Sequence, residues 1–143
     1  MSVGRIGYQS PLAVAVQGVQ VDRYYPVVTA DEGATQAYGA YVEVVASTAA
    51  DIYLIGMAVG STETRNSMGY AAVGTGGAGA ETVIAEVAYY LLSESAAQYV
   101  RFTAPIPVAS GTRVAVKVAS TPSSVTVYDH KVALHYAHQT AVA

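Results

Sequence analysis

At 143 residues the chain is about one domain long, since domains run to roughly 100–200 residues. A chain of this size buries about two thirds of its extended surface and needs no covalent staples. It contains no cysteine, which excludes disulfides and thiolate metal sites and permits assembly in a reducing cytoplasm. Only 12% of residues are charged and 52% are apolar, against about 25% charged in a typical soluble domain. Mean hydropathy is +0.34.

A surface so poor in charge must face either lipid or other protein. A lipid-spanning helix needs about 18 or more apolar residues. The longest run, residues 52–59, is far shorter and contains Gly56. No apolar stretch of signal-peptide length follows Arg5, and the strands are too few for a single-chain transmembrane barrel. The expectation is therefore no membrane, with apolar strands covered by neighbouring subunits. Net charge is −3 and the basic residues are scattered singly, which leaves no stripe to neutralise phosphates and gives no reason to expect a nucleic-acid partner. The aromatic set is twelve Tyr, one Phe and no Trp. That set suits protein interfaces as well as half-buried sheet faces.

In chain order, residues 1–40 are weakly patterned and broken by Pro11, Gly18 and Pro26. They suggest an extended N-terminal arm with one or two short edge strands, where proline is tolerated. Residues 41–143 form the expected domain. Residues 41–47 alternate, with Val42 and Val44 opposite Tyr41, Glu43 and Val45. Residues 51–59 are apolar on both faces, Ile52 and Leu54 on one and Tyr53, Ile55 and Met57 on the other.

A short strand at 68–73 leads into a glycine-rich turn at 74–79, then a strand at 82–92. The next, 99–103, is expected to end at Pro105 and Pro107. Residues 112–119 place Val114, Val116 and Val118 inward and Arg113, Ala115 and Lys117 outward. The last strand, 125–135, changes phase near Asp129 and His130, which suggests a β-bulge there. Short strands at this spacing with Gly/Pro punctuation indicate an all-β, antiparallel β-sandwich of jelly-roll type.

Candidate chemistry is sparse. Gly74-Thr75-Gly76-Gly77-Ala78-Gly79 matches the dinucleotide fingerprint G-x-G-x-x-G. However, Thr82, Val83, Ile84, Val87, Tyr89 and Tyr90 load the segment that would have to be its helix with β-formers. No further βαβ unit follows, so a hairpin loop with positive-φ glycines is the better account. His130, His135 and His138 have no Glu or Cys beside them to complete a metal site, and on a strand His135 and His138 point to opposite faces. No G-x-S-x-G elbow is present. The expectation is a non-enzyme with no catalytic, cofactor or metal residues and no small-molecule substrate. Asp51 and Asp129 border strands, where turn-capping is their ordinary role. Arg113 is placed to pair with a carboxylate across the sheet or across a subunit boundary, and Glu81 and Glu86 are its candidate partners. Tyr53 and Met57, on the outward side of their strand, are candidate interface residues.

Residues 68–118 resemble a small β-sandwich module of tailed-bacteriophage virion proteins. The resemblance lies in a short strand entering a Gly-rich loop that closes on an acid, Gly74 to Glu81, followed by the apolar strand Val83 to Val87. It continues in Phe102-Thr103-Ala104-Pro105-Ile106-Pro107 and then in Gly111-Thr112-Arg113 opening a strand that reaches Lys117. It implies a virion structural protein, assembled in the host cytoplasm. Such a protein would be a capsid decoration or cement protein or a head-fibre base, packing as a homotrimer or higher and against other virion proteins such as the major capsid protein. Members of the family are often longer, which favours a compact decoration subunit here. The alternative is a tail-tip or tail-fibre protein that binds a glycan or receptor. Glu81, Gly111, Thr112 and Arg113 are the structural or interface candidates this resemblance implies.

Overall fold

The computed structural model describes residues 19–33, 37–61, 67–91, 97–121 and 129–141. Nine strands cover most of them: β1 (Val19–Tyr24), β2 (Val27–Asp31), β3 (Val42–Val45), β4 (Ile52–Ser61), β5 (Ser67–Thr75), β6 (Thr82–Leu91), β7 (Gln98–Val108), β8 (Val114–Thr121) and β9 (Asp129–Ala141). Sheet A runs β1-β9-β4-β7, with β2 also on β9. Sheet B runs β3-β8-β5-β6. All strand ladders are antiparallel.

The topology follows from one doubling-back of the chain at the glycine-rich turn. Ala71 pairs with Val87, Val42 with Val116 and Val19 with Ala141. In each nested pair the partners lie about equally far before and after residue 79. The chain is thus one long ribbon whose tip is the β5–β6 turn. Wrapping that ribbon puts successive segments alternately into two four-track sheets, with β1 and β2 sharing a track along β9. This is the jelly roll, an antiparallel β-sandwich. At the break between β1 and β2, Pro26 supplies no amide, but its carbonyl still accepts from Leu134 N–H at 3.0 Å.

The two sheets bury one core of small and medium apolar side chains. Leu54, Met57 and Val59 of β4 meet Val73 of β5, Val114, Val116 and Val118 of β8, and Val132 and Leu134 of β9. His130 is also fully buried, 3.9 Å from the buried Glu32 carboxylate and edge-on to Tyr89.

Two phase assignments change. Met57 joins Leu54 in the core instead of Tyr53 outside, because β4 carries an extra residue between Leu54 and Gly56 relative to β9. One inserted residue moves everything after it to the other face. A similar irregularity between Glu43 and Val45 brings Val45 toward the core beside Val42 and Val44.

Pro105 and Pro107 lie inside β7 and do not end it. Among the described residues β7 is an edge strand paired only to β4, and an edge strand is where proline is tolerated. In β9 the ladder with β2 runs unbroken from Asp129 to Ala133. The expected bulge therefore has no register shift on that side, and Val125 to Tyr128 lie outside the described residues, as do residues 1–18 of the expected arm. Residues 82–91 are an antiparallel strand, which removes the helix that nucleotide binding would need.

Candidate functional site

The tip of the ribbon is held by Arg113. Its Nε donates to Glu43 Oε1 at 2.9 Å, and its Nη1 donates to Glu81 Oε1 at 2.8 Å and to the Gly76 carbonyl at 3.2 Å. One planar guanidinium thereby ties β3 and both arms of the β5–β6 turn to the start of β8. Glu81 also accepts from the Gly79 amide. The Arg113 guanidinium, with these amides, holds the Glu81 carboxyl below the usual carboxylate range. The turn itself requires glycine at two positions, Gly76 at φ 121° and Gly79 at φ 82°.

Of the two expected partners, Glu81 is used and Glu86 is not. Glu86 accepts instead from the Tyr38 hydroxyl, whose pKa is raised first by burial and then by that carboxylate. Glu43 was not legible as a partner because it depends on the β3–β8 pairing, a contact between residues 70 apart.

Gly111 and Thr112 form the β7–β8 turn, with Gly111 at φ 81°. They are held from below by Thr48, which is 4% exposed. The Thr48 hydroxyl donates to the Ala109 carbonyl at 2.8 Å and accepts from Thr112 N–H at 3.1 Å. Its backbone carbonyl accepts from Gly111 N–H and its amide donates to the Thr112 carbonyl. Asp51 caps the same turn, accepting from Ser110 N–H at 2.8 Å. The Gly-Thr-Arg stretch is thus consumed in closing the fold. Tyr53 is partly exposed and packs with Ile55 and Ala137 on the outer face of sheet A, while Met57 is fully buried.

Among the described residues two outer faces carry exposed side chains. On sheet B, Met68 and Tyr90 are direct cross-strand partners with Tyr70 beside them, each about half exposed. Next to them, Lys117 lies 4.5 Å from the Tyr38 ring centre and 4.7 Å from that of Tyr41. On sheet A, Tyr25 stacks on His135 with ring centres 4.5 Å apart. The Tyr99 hydroxyl reaches His135 Nδ1 at 2.7 Å across Gly56. A Cβ on Gly56 would lie 2.6 Å from that hydroxyl, so glycine is what lets Tyr99 cross the strand. Burial, and then the nearby Arg23 and Arg101, push the His135 pKa down. His138 faces the other way, stacked on Tyr24 and 3.3 Å from Asp22.

Concavities flank these faces. A groove of about 450 Å³ runs between edge strands β6 and β7, lined by Ile84, Val87, Val100, Phe102 and Ile106 among others. A smaller one of about 220 Å³ sits at the sandwich end beside Tyr24, Ile52, Tyr136 and His138. Among the described residues no group of three or more His, Cys, Asp or Glu is placed to hold a metal ion.

No family model and no curated protein matches the sequence. Among solved structures the chain is similar to two of infectious bursal disease virus. The Gx strain structure is 12% identical with a TM-score of 0.44, and the match covers 96% of this chain and 36% of that one. The Gt strain structure is 12% identical with a TM-score of 0.45, covering 96% and 38%. The chain thus spans little more than a third of the length of either. The fold assignment rests on the strand order described above.

Proposed function

We propose that the protein is a non-enzymatic virion structural subunit that stabilises a particle by packing against copies of itself and other virion proteins. Within that role, a bacteriophage capsid decoration or head-fibre-base subunit fits best. The observation that carries this reading is the outer face of sheet B, where Met68, Tyr70 and Tyr90 form a contiguous, half-exposed apolar cluster. Covering such a cluster recovers roughly 25 cal/mol for each Å² removed from water. The low charge content supports the same reading, since an exterior poor in ionic groups is tolerated where neighbours cover it. Jelly rolls also recur among capsid domains, though lectin domains share them, so the fold alone does not choose.

The direct test is size-exclusion chromatography with light scattering across a concentration series, followed by binding to particles lacking the protein. A concentration-dependent oligomer or saturable particle binding is expected. A monomer at high concentration that binds no particle would refute the reading.

A further inference from the structure

The two strands that border the larger groove differ in how their edges are protected. β7 carries Pro105, Pro107 and the charged Arg101 along its length, features that discourage pairing on an open edge. β6 is 10 residues long, contains no proline and has Glu86 as its one charge. Among the described residues it pairs only with β5. We propose that this edge and its groove receive residues 12–16 of a second copy as an added strand. Such an exchange rests on the self-packing part of the reading above, but it uses a different surface from the Met68–Tyr90 cluster.

The backbone of β6 already bonds on its outer edge, where Tyr90 N–H donates to the Gln98 side chain at 2.8 Å. Backbone direction alternates along a strand, so Ala88 and Glu86 turn their N–H and C=O groups to that same edge. Beside them lies the groove of about 450 Å³, with Ile84, Val87, Val100, Phe102 and Ile106 among its lining residues. Its charged lining residues are one acid, Glu86, and one base, Arg101, and Glu86 already accepts from Tyr38. A lining so balanced suits an uncharged, apolar occupant.

Residues 12–17 lie outside the described residues and read Leu-Ala-Val-Ala-Val-Gln between Pro11 and Gly18. At the two-residue period of a strand, Leu12, Val14 and Val16 fall on one face and Ala13 and Ala15 on the other. The larger set matches the apolar groove. The alanines match the outer side of β6, where Ala88 is exposed. Strand addition of this kind takes affinity from main-chain hydrogen bonds and specificity from alternate side chains.

The groove that is filled belongs to another copy, because a chain cannot reach its own. Tyr24 shares a row with Tyr136, Leu54 and Ile106, and Val19 lies five residues before Tyr24, on the side away from the groove. β1 is also three strands from β7. Five residues along and three strands across put Val19 about 22 Å from Ile106. Residues 16–19 span at most about 11 Å. Each copy offers one segment and one groove, so exchange among identical copies fills every groove.

The chain has no cysteine, which makes cross-linking a clean test. The full chain carrying Ala13→Cys or Ala15→Cys is mixed with a mass-labelled full chain carrying Ala88→Cys, and the mixture is oxidised. An outward residue of the added strand shares a face with Ala88, at the cross-strand spacing a disulfide spans. A reducible dimer joining the two preparations is expected. Gly77→Cys, at the ribbon tip, is expected to join far less. Adding Leu12→Asp/Val14→Asp/Val16→Asp to the first chain is expected to lower the yield by about tenfold or more, as three apolar side chains lose their burial. Circular dichroism of that variant is expected to stay unchanged. The exchange is refuted by Ala88→Cys joining no better than Gly77→Cys, or by an undiminished yield in the triple variant. It is also refuted by the link forming within one chain when both substitutions are combined. Light scattering on the same samples separates the two readings. Association without the link overturns the exchange alone, and no association overturns the self-packing reading with it.

Discussion

Met68 and Tyr90 stand directly opposite each other across β5 and β6, both pointing outward and each about half in solvent. If this pair anchors subunit packing, Met68→Glu/Tyr90→Glu places two like charges where an apolar neighbour would sit. Light scattering should then show loss of association. Surface substitutions of this kind usually change stability by less than about 0.5 kcal/mol, so urea unfolding should be nearly unchanged. Association at wild-type strength would move the packing surface elsewhere.

Thr48 ties Ala109 and Thr112 to the body of the sandwich with both functions of its hydroxyl. Thr48→Val leaves the Ala109 carbonyl and the Thr112 amide without that partner, at a cost of about 1–3 kcal/mol. Thr48→Ser should recover most of the loss. Gly111→Ala meets no atom within 4 Å, so its cost is conformational, about 1–2 kcal/mol for a left-handed backbone. Denaturant titration of the three variants separates the two terms.

The Arg113–Glu81 contact sets an acid limit. The Glu81 pKa is lowered in the folded state, so the stabilisation is fully present above the ordinary carboxylate value of 4.5 and fades as pH falls through the lower folded one. Wild type should therefore exceed Glu81→Gln in stability at pH 6, with the gap closing toward pH 3. Parallel curves across that range would show that the contact is not linked to folding.

His135 has the opposite chemistry but the same direction of pH dependence. Its folded pKa lies below the ordinary 6.5, through burial first and the arginines second. Between the two values the unfolded chain binds the extra proton, so stability falls as pH drops from about 6.5 toward the folded pKa and levels off below it. NMR titration should place His135 below 6.5. His135→Gln should flatten this part of the stability profile.

Met57 and Tyr53 test the bulge in β4. Met57→Ala removes a fully buried side chain and should cost about 2–5 kcal/mol. Tyr53→Ala, on the partly exposed outer side, should cost distinctly less. Equal costs in thermal or chemical unfolding would contradict the assigned phase.

That pair also marks where local pattern ends. Alternation of Val114, Val116 and Val118 reads correctly from the chain, because period two is a property of any strand and needs no knowledge of its neighbour. Met57 misreads because a bulge arises between strands: β4 has one residue more than β9 needs, and neither segment shows it alone. Pro105 and Pro107 misread for a related reason. Whether proline ends a strand depends on which edge is open, and that is decided by the sheet. Arg113 and Glu81 were legible as a pair because the turn between β5 and β6 lies near both. Glu43, Thr48 and Tyr38 were not, since their partners come from 48 to 70 residues away.

By itself the amino-acid order determined an all-β chain with glycine turns, a charge-poor exterior and no thiol chemistry, all of which depend on composition and on neighbours within a few residues. Only the tertiary structure decided that the chain folds back about residue 79 into nested pairs. It alone placed Arg23 and Arg101 on either side of His135 and spent the Gly-Thr-Arg stretch on closing the sandwich. Strand pairing is a long-range choice made by burial of whole faces, and a residue's surroundings exist only after that choice is made.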